Sequence, residues 1–168
     1  MVCFGSWDGR VYSLDTNTGE KNWDFETGWG VTTKPTITDE LILFGSLDNN
    51  FYALDKNSGS LEWSFPCKSA IQSNPTTYGE YVFFGCDDGV FYALEKETGQ
   101  LGWKFKPKYS LEDNIAQNYI TTPITSDSVV DNGTVYIYVE DTLYALDAQT
   151  TEVSLEAVSY THLTLPTN

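Results

Sequence analysis

Phe44-Gly45-Ser46-Leu47-Asp48-Asn49-Asn50-Phe51-Tyr52-Ala53-Leu54-Asp55 is one copy of a pattern that the chain writes again and again. Phe4-Gly5-Ser6 lies forty residues before it and Phe84-Gly85-Cys86 forty after. Val11-Tyr12-Ser13-Leu14-Asp15 and Phe91-Tyr92-Ala93-Leu94-Glu95 flank the central copy at the same offset. Thr18-Gly19 followed by Trp23 recurs as Ser58-Gly59 with Trp63 and as Thr98-Gly99 with Trp103, and Pro35 and Pro75 close the period. A fixed period of this length, in which several unrelated residue types return together, marks a repeat architecture.

One period reads as four strands, over Lys34–Thr38, Leu41–Ser46, Asn50–Lys56 and Leu61–Lys68, each bounded by turn residues. Asp8-Gly9, Asn49-Asn50 and Asp88-Gly89 separate the second strand from the third. Such pairs tolerate positive φ and suit tight hairpins, so neighbouring strands are expected to run antiparallel. Phe51-Tyr52-Ala53-Leu54 is apolar on both alternating faces, which calls for a sheet covered on both sides. A propeller blade, held between two neighbours, meets that demand. Ser13, Ala53, Ala93 and Ala145 mark where a neighbouring blade is expected to come close. A parallel sheet would also have apolar strands, but it needs intervening helices, and the pattern contains none.

A fourth copy, Leu143-Tyr144-Ala145-Leu146-Asp147, lies fifty-two residues after the third, so about a dozen residues are inserted around Lys108 to Asn132. The reading is all-β: a partial propeller of four-stranded antiparallel blades over 1–157, the blades at about 1–28, 29–68, 69–107 and 108–157. The first lacks its opening strand. In the fourth, Thr151 stands where the glycine is expected and Leu155 where the tryptophan is.

The unit of Gly-Ser, Asp-Gly turn, Tyr-Ala-Leu-Asp, Thr-Gly and Trp resembles the PQQ-like, or quinoprotein-type, repeat, over roughly Val2 to Gln149. WD repeats have a similar period, but Trp7-Asp8 and Trp23-Asp24 do not recur at matching positions. The resemblance implies about eight blades in a complete relative, of which this chain carries about three and three-quarters. It also implies that Gly19 with Trp23, Gly59 with Trp63 and Gly99 with Trp103 dock neighbouring blades. Unclosed ends expose sheet faces and strand edges, so the segment alone is expected to be marginal or prone to aggregate.

With a formal net charge of −15, and no cluster of Lys or Arg to offset it, the chain is unsuited to a nucleic-acid backbone. No apolar run is long enough for a membrane-spanning segment. Met1 to Ser6 already reads as a strand, which leaves open a longer N-terminus with a signal peptide upstream. Val158 to Asn168 resembles translated adaptor read-through, with a short genuine tail as the alternative, and is set aside from the fold.

His162, the one histidine, lies in that tail, so no Ser/His/Asp or Cys/His arrangement can be assembled and no catalytic residue is assigned. Cys3, Cys67 and Cys86 lack the spacing of zinc ligands or a redox pair and read as buried small residues. Asp87-Asp88 and Glu112-Asp113 could serve acid–base chemistry or a hard cation, but Asp88-Gly89 suits a hairpin and Ser110 with Asp113 a helix cap. No metal ligand is assigned. Asn132-Gly133-Thr134 satisfies a glycosylation sequon and equally forms a turn.

Loops that interrupt a regular scaffold are where function concentrates. Trp29, Tyr109, Asn114, Gln117, Asn118 and Tyr119 are therefore the candidates for a binding surface on the funnel face, against the alternative of a variable surface loop. The resemblance implies a non-catalytic scaffold of the BamB-like kind, binding protein or a small molecule without a resident cofactor, in the periplasm, at the cell surface or secreted. It leaves two alternatives. One is a fragment of an alcohol or sugar dehydrogenase that uses pyrroloquinoline quinone and calcium. Such enzymes carry adjacent cysteines over the quinone, a pairing this sequence lacks. The other is a sensor domain of a larger protein.

Overall fold

The computed structural model describes residues 1–107 and 122–150 and the backbone of 156–159. All of the described structure is strand, turn and connection, arranged as four antiparallel sheets. The first holds β1 (Val2–Gly5), β2 (Arg10–Leu14) and β3 (Lys21–Glu26). The second runs β4 (Thr36–Ile37), β5 (Leu41–Gly45), β6 (Asn50–Asp55) and β7 (Leu61–Pro66), the order of the chain. The third repeats it with β8 (Thr76–Tyr78), β9 (Tyr81–Gly85), β10 (Phe91–Glu95) and β11 (Leu101–Phe105). The fourth has β12 (Val129–Asp131), β13 (Thr134–Val139), β14 (Thr142–Asp147) and β15 (Glu156–Ser159).

Each turn is built by a side chain that the repeat supplies. Asp48 Oδ1 accepts the amide of Asn50, and Asp8 and Asp88 do the same for Arg10 and Val90. Gly9, Asn49 and Gly89 take the positive φ that this hairpin needs. The second unit therefore turns on Asp48-Asn49, one residue earlier than the expected Asn49-Asn50: the capping carboxylate sets the position, and asparagine accepts the left-handed conformation. The innermost strand is also shorter than expected, since β4 covers only Thr36–Ile37 of Lys34–Thr38. Lys34 instead gives its amide to Asn74 Oδ1 in the next unit.

Between the third and fourth strands, the Asp15 carboxylate accepts the amides of Asn17 and Thr18, and Asp55 those of Asn57 and Ser58. Gly19, Gly59 and Gly99 close these turns at φ 74°, 73° and 71°. In the fourth sheet Ala145 pairs with Glu156, one residue past the position given to Leu155 by spacing. The 157/158 boundary of the excluded tail falls inside β15, so the backbone of Val158 and Ser159 extends the sheet.

The sheets stack face on face, as their two-sided apolar pattern requires. Phe44, Phe51, Phe84 and Phe91 are fully buried, each contributing about 1.5–3 kcal/mol relative to exposure. Phe51 of the second sheet stacks on Phe84 of the third with ring centroids 4.1 Å apart. Every interface also holds an aromatic wedge: Phe25 on Tyr52 at 5.7 Å, Phe65 on Tyr92 at 5.7 Å and Phe105 on Tyr144 at 5.2 Å. Ser13, Ala53 and Ala93 lie directly across from Trp23, Trp63 and Trp103 in the strand pairing, where a small residue leaves room for the indole.

The tryptophans dock one blade ahead. Trp23 lays its ring on Gly59, where a Cβ would come within 2.5 Å of it, and donates Nε1–H to the Lys56 carbonyl at 3.1 Å. Trp63 does the same with Gly99, at 2.6 Å, and the Lys96 carbonyl, at 3.0 Å. The glycine and tryptophan of one repeat are thus not partners of each other, and Gly19 has no atom within 4 Å of its Cβ position. The sheets repeat as rigid units, and the contact that joins them must cross from one repeat to the next.

Candidate functional site

The hairpins β1–β2, β5–β6 and β9–β10 and the connections between blades meet at one edge of the stack. Leu47 donates its amide to the Gly30 carbonyl, Asp87 to that of Ala70, and Gly28 donates to Asp48 Oδ2. The docking glycines lie at the other edge, where Lys56 and Lys96 give their amides to Glu40 and Glu80. These loops and the docking turns are thereby separated, so the loops can vary without undoing the stack.

Trp29 sits in the first connection and is 65% exposed. Beside it, Trp7 at the tip of the first hairpin is 76% exposed and covers Gly30, where a Cβ would lie 3.3 Å from the indole. Two exposed indoles thus stand on this edge, and an indole offers a large contact area at little cost in side-chain entropy. Sequence reading missed Trp7, which entered only as half of a Trp-Asp pair. Its signal was an aromatic at a hairpin tip where the other units hold Leu47 and Asp87. Tyr109, Asn114, Gln117, Asn118 and Tyr119, and the helix cap at Ser110 and Asp113, lie outside the described residues.

Two blades along the same edge is a cleft of about 410 Å³ whose lining includes Lys68, Asp87, Asp88, Tyr92, Lys104 and Lys106. Three of the nine Lys and Arg residues of a chain with net charge −15 gather here. Asp87 accepts Gln72 Nε2 on one oxygen, while the other is buried without a partner among the described residues. Lys104 and Lys106 alternate along one side of β11 and its extension, a spacing that could have been read in advance.

The remaining carboxylates on this edge are committed to the fold. Asp8, Asp48 and Asp88 each accept a tyrosine hydroxyl, from Tyr12, Tyr52 and Tyr92, at 2.7, 2.7 and 2.8 Å. The bond from Tyr12 holds Asp8 below the usual carboxylate range. Burial first, and then the bonds to Asp48 and Asp88, push the Tyr52 and Tyr92 hydroxyls well above the ordinary phenol value. With both oxygens already accepting hydrogen bonds, Asp48 and Asp88 lack the freedom of a general base. Among the described residues no cluster of three or more His, Cys, Asp or Glu is placed to hold a metal ion, and no helix is long and apolar enough to cross a membrane.

The described cysteines are not as separate as their spacing suggested. Cys67, after β7, and Cys86, at the end of β9, meet between the second and third sheets. Cys3 lies in the first sheet.

Comparison with known proteins places this geometry. No curated protein matches the sequence. The crystal structure of BamB from Moraxella catarrhalis superposes with a TM-score of 0.77 at 20% identity, over 90% of this chain and 47% of that one. The chain therefore spans about half the length of that structure. The computationally designed Ika4 protein superposes at 0.68 with 21% identity, over 86% and 83%. A quinohemoprotein alcohol dehydrogenase from Pseudomonas putida HK5 gives 0.72 at 17%, over 86% and 30%. At these identities the likeness is one of fold, a β-propeller built from PQQ-like repeats. The family model described as outer membrane protein assembly factor BamB matches residues 7–120, more than half of the sequence, and the chain belongs to that family.

Proposed function

We propose that the chain forms blades of a non-catalytic binding scaffold that uses its loop edge to hold a protein or small-molecule ligand, without a resident cofactor, in the cell envelope or outside the cell. One observation carries the reading: the exposed Trp7 and Trp29 stand on an edge where Asp8, Asp48 and Asp88 are committed to turns and tyrosines. Paired aromatics suit recognition, and carboxylates with both oxygens engaged do not suit turnover. The cationic cleft at Lys68, Lys104 and Lys106 adds a preference for acidic groups beside the apolar contact. Family membership supports an envelope location.

Site-specific photo-crosslinking in the full-length protein tests this. A crosslinker at position 29 is expected to capture a defined partner, with yield falling at least fivefold in Trp7→Ala. The same group at Glu97, on the docking edge, is expected to capture none. Stoichiometric uptake of pyrroloquinoline quinone with calcium, accompanied by dye-linked alcohol oxidation, would overturn the reading in favour of a dehydrogenase.

A further inference from the structure

The interface between the second and third sheets differs from its neighbours at one pair of positions. Where the first interface has Thr27 and Ser46 and the third has Pro107 and Val139, this one has Cys67 and Cys86. The two cysteines lie together within a shared apolar cluster. Their backbones are fixed independently: Cys67 donates its amide to the Asn49 carbonyl, and Cys86 to that of Val90. The Cys86 thiol donates to the Ser69 carbonyl and accepts the Asp88 amide, as the Ser46 hydroxyl donates to the Trp29 carbonyl and accepts the Asp48 amide. The repeat thus explains a small polar group at position 86, but it does not explain a second sulfur opposite.

We propose that Cys67 and Cys86 form a disulfide that locks the second blade to the third, made by exchange with a disulfide-bearing oxidant such as glutathione disulfide or an oxidoreductase's catalytic disulfide. Cys67 is partly exposed and Cys86 fully buried, so the oxidant meets Cys67 first. The approach lies open beside the pair, where Lys68, Ser69, Asp88 and Tyr92 line the cleft. The Cys67 thiolate attacks one sulfur of the oxidant, its S–S bond breaks, and one thiolate leaves. Cys86 then loses its proton and attacks Cys67 Sγ, which expels the second. Two electrons pass to the oxidant, now two thiols, and the two cysteine protons go to solvent or to the leaving thiolates. The contact with Cys86, burial and the Asp88 charge all disfavour the Cys67 thiolate, so the first step is slow at neutral pH and speeds up as the solution is made alkaline.

The experiment exposes the full chain to glutathione disulfide and reads intact mass and cross-linked peptides. The expected product is about 2 Da lighter, carries a Cys67–Cys86 peptide, retains free Cys3, and melts about 5–10 °C higher than the reduced form. Cys86→Ser restores the residue found at this place in the other units and is expected to fold, yet to stop at a persistent glutathione adduct on Cys67. A wild-type chain that kept that adduct, or that paired Cys3 instead, would overturn the proposal. So would a chain whose Cys67 and Cys86 both remained alkylatable in the native state after prolonged oxidation at pH 8.5.

Discussion

The first two interfaces and the third are built from the same repeat, yet only the first two are completed in the same way. At the first and second, a tryptophan ring covers a glycine of the next blade and its indole N–H reaches a lysine carbonyl. At the third, Trp103 is buried, but its Nε1–H has no partner among the described residues, and the sequence has Thr151 in place of the glycine. The aromatic wedge survives at all three. Apolar contact thus joins the sheets at all three interfaces, and the directional bond is an addition described at the first two.

The largest effect that would break this comparison comes from adding a methyl group. Gly59→Ala forces a left-handed alanine against the Trp23 ring and is expected to cost about 3 kcal/mol in chemical denaturation. Gly19→Ala has the same φ but meets nothing, so a loss of about 1 kcal/mol is expected. Equal losses would mean that the glycine is kept for its backbone alone.

Removing the indole N–H should separate the interfaces by sign. Trp63→Phe strands the Lys96 carbonyl and is expected to lose about 1–2 kcal/mol. Trp103→Phe removes a buried donor that has no partner among the described residues and is expected to be neutral or stabilising. A comparable loss at Trp103 would show that its nitrogen has found a partner after all.

A smaller effect concerns the docking turns under acid. The hydroxyl of Ser58 and the amides of Ser58 and Asn57 hold Asp55 below the usual carboxylate value, and amides of the next turn residues do the same for Asp15. A depressed folded value means that the stabilisation is present above about pH 4 and is lost as the pH falls through the folded pKa. Both groups are partly exposed, so the change is modest. Asp55→Asn is expected to flatten the acid limb of the Tm-versus-pH curve without moving its alkaline limb.

Much of the scaffold was legible because it is local. The hairpins follow from Asp8, Asp48 and Asp88 capping amides two residues on, and strand burial follows from runs such as Phe51 to Leu54. That neighbouring blades dock was expected, but which glycine meets which tryptophan was not legible. The resemblance grouped Gly59 with Trp63 as a docking pair between blades, and stacking specifies the pairing: each tryptophan meets the glycine of the following blade. Cys67 and Cys86 escaped for the same reason: nineteen residues separate them along the chain, and only the packing of two sheets joins them. The candidate surface was legible in part, because Trp29 stood in a connection, while Trp7 becomes its neighbour only once the hairpin folds over.

Cross-blade docking is tested most directly by measuring the cost of Gly99→Ala in the wild-type chain and again in Trp63→Ala. With the ring present, the added methyl should cost about 3 kcal/mol, and with the ring removed only the backbone cost of about 1 kcal/mol should remain. An undiminished cost in Trp63→Ala, or one relieved instead by Trp103→Ala, would contradict a stack joined from each blade to the next.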